Sequence, residues 1–325
     1  MRLPLRHHTI LFFFCALLLA GCSQSERTLA IATGGPAGLY YPFGGAMASL
    51  WSEVLPGVNA KAEVTGGSVT NVIQVARQES DLGIAMADVV SSAYAGTGRF
   101  PEPLPLRVLF TAYPNVVHML SLRDSGIKTI DDLAGKRVAL GAQGSGTSVA
   151  ALNIITGLGL SLDDIAPRYL SFGETTTGLK DGTLDAGFVV GGLGIAAVTE
   201  LSVTRDIEII ALSDAEIALL TRRFPAYSGY EIPGETYAGV SESRQTLGIW
   251  SAVVVHETMP EALAYALTCT VYRDHSRLLA VSPVVKDMTP ANIHQLPAVP
   301  LHPGTQRYLQ NPQAQCTPPV AASAQ

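Results

Sequence analysis

The chain has 325 residues, 47% of them apolar and 15% charged, with 31 Gly, 20 Pro and a formal net charge of −6. That length supports one or two domains with an ample core, and so few charges exclude a chiefly disordered chain. Lys and Arg form no cluster of the kind that nucleic acid recognition needs, and the seven His stand without metal-ligand spacing (His256-Glu257 lacks the second His of a zinc-protease helix), so neither nucleic acid nor a metal or other cofactor is expected.

At the N-terminus, Arg2 and Arg6 precede the apolar run Ile10–Ala20, which ends in Leu19-Ala20-Gly21-Cys22. A basic start, a short apolar stretch and small residues before a cut describe a secretory signal over residues 1–21. The run falls short of the roughly 20 apolar residues that span a membrane. Ala186–Thr199 is uncharged but Gly-rich and shorter still, so a soluble mature chain is expected. Cys269 and Cys316 follow Cys22; in an oxidising compartment an even pair fits a disulfide, and spacing leaves both the bonded and the free state open.

Beyond a polar tether at Ser23–Arg27, strand-length apolar runs alternate with helical patterns. Strands are predicted over Leu29–Thr33, Ala60–Thr65, Leu82–Ala85, Val108–Thr111, Arg137–Gly141 and Ala186–Val190. Helices are predicted over Met47–Val54, Val69–Arg77, Val149–Leu158 and Thr175–Lys180. Such alternation argues for α/β layers. A helix, a polar turn and an apolar strand recur at Val72–Asp88 and Thr176–Gly192, which argues for two similar lobes. Asp124–Gly135 is turn-rich, with Thr129 or Asp131 to cap a short helix and Gly135 to end it. Pro225–Pro233 is a break in composition. Thr246–His256 reads as a long strand, and Pro260–Val271 as a helix with Pro in its first turn.

Three Gly-rich segments each follow an apolar strand and open a helix: Thr33–Tyr41 (TGGPAGLYY), Thr65–Ser68 (TGGS) and Gly144–Thr147 (GSGT). Glycine lets successive N–H groups turn toward one point, and a helix start adds unpaired donors and partial positive charge. Together with the hydroxyls of Ser68, Ser145 and Thr147 they can hold a small anion without Lys or Arg; each loop taken alone is equally a tight capped turn. Gly144-Ser145-Gly146 lacks the third glycine of a dinucleotide fingerprint, and no Gly-Lys-Ser/Thr forms a nucleotide loop. Ser125-Gly-Ile-Lys128 matches a serine–lysine pattern by letter but sits in a turn context, and no nucleophile has a base and an orienting group beside it, so no enzyme is expected.

These blocks resemble the TAXI family, the solute-binding subunits of a class of TRAP transporters. The resemblance runs from about Leu29 to Tyr308 through TGGPAGLYYPFGGAMA (33–48), TGGSVTN (65–71), AMADV (85–89), YPNVVHML (113–120), GKRVALGAQGSGTSV (135–149), LSFGETTTGLKDGTLDAGFVVGG (170–192), LGIWSAVVV (247–255) and PLHPGTQRYL (300–309). It implies an α/β, two-lobed clamshell of the type II periplasmic binding kind with a central cleft. The first lobe would take residues 22–112 and the second 113–223, with 224–325 holding a crossover strand and the return to the first lobe. It further implies a monomer that captures glutamate, glutamine or a 2-oxo dicarboxylate and delivers it to a membrane permease; a sensor presenting a small acid to a membrane receptor is the alternative. Cys22 matches the lipobox of bacterial lipoproteins, which implies a lipid anchor in the cell envelope. Carried over position by position, the ligand-facing residues are Gly35, Ala37, Gly38 and Tyr40; Ser68 and Asn71; Asp88, an acceptor for a ligand ammonium; and Ser145, Gly146 and Thr147, poised for a carboxylate. Asn115 stands where many relatives have Glu, a change that bears on ligand charge. Glu174 reads either as a cleft residue or as a helix cap, and Tyr41 and Tyr113 equally as core aromatics.

Overall fold

The computed structural model describes residues 27–296, 298–312 and 315–316. The signal segment and Cys22 lie outside the described residues. In the first half, β1 (Arg27–Ala32), α1 (Tyr40–Val54), β2 (Val58–Glu63), α2 (Ser68–Ala76), β3 (Leu82–Met86) and α3 (Ala87–Ala95) alternate, with β1 parallel to both β2 and β3. β3 is buried along its whole length, as expected for a parallel strand covered on both faces. A second unit repeats the pattern: β5 (Arg137–Ala139), α4 (Gly146–Gly157), β6 (Ala166–Arg168), α5 (Phe172–Lys180) and β7 (Ala186–Gly191), with β5 parallel to β6 and β7. The chain continues through α6 (Ala196–Thr204), β8 (Ile207–Ile209), α7 (Asp214–Arg223) and β9 (Tyr227–Ile232).

Two long strands join the units. β4 (Leu106–Leu122) and β10 (Arg244–His256) pair antiparallel, from His256↔Leu106 to Gly248↔Val116. Their far ends change neighbours. β10 pairs with β9 up to Ile249 and with β3 from Ser251, while β4 pairs with β7 and β8 beyond Val116. The register slips between Trp250 and Ala252, opposite Pro114 and Thr111. The crossing is thus an irregular stretch of two continuous strands that both lobes share. Each lobe has its own core, Phe43, Trp51 and Phe110 in the first and Leu120, Val189 and Tyr237 in the second, and a third cluster containing Val72, Val117 and Ile154 runs across both.

Several expected boundaries shift. The division after Ala112 falls inside β4, which passes through without a break. Ile232, Tyr237 and Val240 pack in the second lobe's core, so the return to the first lobe begins within β10 rather than at residue 224. Pro225–Pro233 holds strand β9, whose Tyr227 and Ile232 are buried despite the two flanking prolines. At Asp124–Gly135 neither Thr129 nor Asp131 caps the short turn; Asp132 accepts from the Lys128 and Thr129 N–H groups and from the Thr129 hydroxyl. Ser125 Oγ donates to Leu122 O and accepts from Ile127 N, a turn role.

The C-terminal helices α8 (Glu261–Arg273), α9 (His275–Leu279) and α10 (Pro303–Gln310) follow β10. Cys269 on α8 is disulfide-bonded to Cys316 with Cα atoms 5.3 Å apart, beside Tyr265 and Tyr308, and Tyr272 stacks on Tyr308. The bond closes a loop across 47 positions. Loop-closure entropy for that span corresponds to about 4 kcal/mol at most. Cys269→Ser with Cys316→Ser is expected to lower unfolding stability by about 2–4 kcal/mol in urea melts under oxidising conditions.

Candidate functional site

A cavity of about 430 Å³ lies between the lobes, and four helices begin at its wall. α1 starts at Tyr40 and α2 at Ser68 on the first lobe; α4 starts at Gly146 and α5 at Phe172 on the second. Each first turn brings N–H groups with no intrahelical acceptor and the positive end of the helix dipole. The lining contains no Lys, Arg or His, and Glu174 is its one charged residue. Positive potential therefore comes from the main chain, and the wall suits an anion.

The helix starts are not equivalent. Across the seam, Gly144 O accepts from Val69 N at 3.0 Å and Thr70 N at 3.2 Å, which engages the second and third amides of α2. Within Thr65–Ser68 itself, Gly67 N donates to Thr65 Oγ1, while Gly66 N and Ser68 N make no hydrogen bond among the described residues. On α4, Ser145 Oγ donates to Ala142 O and accepts from Ser148 N, so this hydroxyl is a helix cap. Gly146 N and Thr147 N make no hydrogen bond among the described residues and face the cavity wall. On α5, Ser171 and Glu174 form a reciprocal capping box. These bonds hold the Glu174 carboxyl below its usual range. Glu174 lines the cavity at an exposed position, and its cap role is the one its bonds show.

Glycine is required at the seam. A Cβ on Gly146 would stand 2.5 Å from Met86 Sδ and 2.7 Å from Ser68 Oγ, and one on Gly144 (φ +80°) 2.6 Å from Thr70 Oγ1. Main chain from one lobe thereby reaches the other without an intervening side chain.

At the cavity floor, Asn115 Nδ2 donates to Ile249 O, Ser251 Oγ and, at 3.3 Å, Tyr40 Oη. Burial pushes the Tyr40 phenol up to about 12, offset in part by Ser251, Asn115 and Ser68. Tyr113 packs edge-on against Tyr40 and Phe43, is fully buried, and its hydroxyl makes no hydrogen bond among the described residues. It lines the cavity rather than serving only as a core aromatic.

Ten of the twelve expected ligand-facing residues line this cavity: Gly35, Ala37, Gly38, Tyr40, Ser68, Asn115, Ser145, Gly146, Thr147 and Glu174. Two do not. Asn71 is fully buried; its Nδ2 donates to Thr33 O and Ile84 O and its Oδ1 accepts from Thr65 Oγ1, so it ties β1 and β3 to α2. Asp88 lies past Met86, where Oδ2 accepts from Tyr227 Oη at 3.0 Å and Oδ1 from Val89 N at 2.8 Å. Asn153 Nδ2 in turn donates to Tyr227 Oη, completing a chain from the first lobe to the second. Among the lining residues that sequence reasoning left out are the bulky Met86, Phe172 and Tyr113. All three are apolar or aromatic and read as core; only their placement at strand and helix ends could have marked them.

Burial pushes the Asp88 carboxyl up to about 6, against the hydrogen bonds of Tyr227 and Val89. A raised folded value means that this group's stabilising contribution is whole at pH below its unfolded value and is lost as pH rises through about 6. Asp88→Asn, which cannot ionise, is therefore expected to gain on the wild type between pH 4 and pH 7.5, by at most about 3 kcal/mol. Chemical denaturation of both proteins at the two pH values checks it.

The architecture is that of a two-lobed binding protein. It is similar to MatC from Rhodopseudomonas palustris with bound malate, at 15% identity over 88% of this chain and 98% of that one, with a TM-score of 0.56. A Bordetella bronchiseptica protein matches at 17% identity over 90% and 92% of the two chains, with a TM-score of 0.50. Residues 31–311 match the NMT1-like family, and the chain belongs to it.

Proposed function

We propose that this chain is an exported solute-binding protein that captures one small carboxylate in the interlobe cavity and delivers it to a membrane transporter, without chemistry of its own. The carrying observation is the pair of unused amides, Gly146 N and Thr147 N, at a helix start in a wall free of cations. Charge-assisted hydrogen bonds of this kind contribute roughly 1.5–3 kcal/mol each, and a helix start up to about 2 kcal/mol more when partly buried. Two or three such contacts reach the roughly 8 kcal/mol of micromolar binding only when lobe closure has already excluded water. The TAXI resemblance of the sequence and the likeness of its fold to a malate-bound protein support the same class. A TRAP permease as the recipient and a lipid anchor on Cys22 in the periplasm belong to this proposal.

The lining narrows the solute. Asp88, the acceptor expected for an ammonium group, lies outside the cavity, and Glu174 is engaged with Ser171. Tyr113 Oη is a buried hydroxyl without a hydrogen bond among the described residues, available to a carboxylate oxygen of the solute. With no free carboxylate in the lining to meet an ammonium group, a dicarboxylate or 2-oxo acid without an amine fits better than glutamate. In a thermal-shift panel, four- and five-carbon dicarboxylates are expected to raise the melting temperature more than the matching amino acids. A response confined to glutamate or glutamine would reverse that preference, and no response to any carboxylate would contradict the proposed class.

Leaving a buried hydroxyl unpaired costs about 1–3 kcal/mol. Tyr113→Phe is therefore expected to stabilise the free protein by about 1 kcal/mol while weakening solute binding about tenfold. Calorimetric titration showing unchanged affinity would remove Tyr113 from the site. Affinity should also vary only mildly between low and moderate salt, since the attracting charges are main-chain dipoles inside a closed cleft.

A further inference from the structure

A second cavity, of about 540 Å³, lies along the same seam. It is bounded by Ala87–Ser92 of α3, which does not reach the first cavity, and by Val149–Asn153 of α4, just past the Gly146–Thr147 turn that lines the first. Phe100, Leu152, Phe224 and Leu296 give it apolar walls. Two guanidinium groups also line it, one from each lobe, and neither is in an ion pair among the described residues. Arg99 has only a long contact, 3.5 Å, from Nη2 to Ser148 Oγ; Arg223 lies 5.7 Å over the Phe224 ring.

We infer that this cavity is a binding site for a small amphipathic monoanion, an alkyl carboxylate or sulfonate whose head group sits between Arg99 and Arg223 and whose chain lies on the apolar walls. The one carboxylate in the lining, Asp88, takes hydrogen bonds from Tyr227 Oη and Val89 N, and even when ionised it leaves the two guanidinium groups with a net positive charge. Its burial also favours the uncharged form. An alkylammonium of equal length would meet two guanidinium groups and an acid already engaged, so the site discriminates by head-group sign. An uncharged chain would gain the apolar contact and forgo the arginines.

The test is calorimetric titration of the full mature protein with octane-1-sulfonate below its micelle-forming concentration, with octylammonium as the counterpart. Sulfonate is expected to bind at least tenfold more tightly than the ammonium. Arg99→Gln with Arg223→Gln, two exposed positions, should weaken it at least tenfold without changing the melting temperature. Leu152→Trp should block it by filling the cavity. Equal binding of the two head groups, or full sulfonate binding by the double arginine variant, would overturn the site. Neither variant touches the wall of the first cavity, so dicarboxylate binding measured on the same samples separates failure here from failure of the solute reading.

Discussion

The arrangement of this molecule depends on one close approach, that of the Gly144 carbonyl to the first turn of α2. Two main-chain hydrogen bonds from Val69 and Thr70 span the lobes there. Gly146 sits next to them against Met86 and Ser68 with no room for a side chain. α2 spends Val69 N and Thr70 N on the other lobe, while α4 leaves Gly146 N and Thr147 N without a hydrogen bond among the described residues.

Binding by amide groups rather than by arginine has a physical consequence. A guanidinium carries its full charge whether the cleft is open or closed, whereas a helix start is weak in water and gains strength as solvent is excluded. Under the proposed function, attraction of an anionic solute and closure of the lobes would therefore be coupled. At the β4–β10 crossing the strands change partners, and their register slips between Trp250 and Ala252 and again between Val253 and Val254. Across the seam, the Asp88–Tyr227–Asn153 chain supports the same closed arrangement from the other cavity.

Much of this was legible in the sequence. Apolar runs marked β1, β3 and β7 to within a residue or two, because parallel strands buried on both faces need continuous apolar sequence. The glycine loops located three of the four helix starts at the cavity. What the sequence could not supply was the use made of each group. Asn71 and Asp88 are polar residues near glycine loops and look like ligand contacts, yet one braces β1 and β3 and the other faces the second cavity. Tyr113 looks like core and is buried, yet it belongs to the cavity lining and its hydroxyl makes no hydrogen bond among the described residues. Strand β9 escaped notice because alternation with exposed Ser228 and Gly229 between prolines resembles a loop, and only pairing with β10 makes it a strand. In each case the deciding partner is far away in sequence.

The most direct test of the account is a crystal structure of the protein with a bound four- or five-carbon dicarboxylate. The account predicts one carboxylate within about 2.7–3.2 Å of Gly146 N and Thr147 N, in a cleft closed by the Gly144 contact with α2. A solute whose carboxylates rest on arginine side chains, or one bound with those two amides turned to solvent, would contradict it.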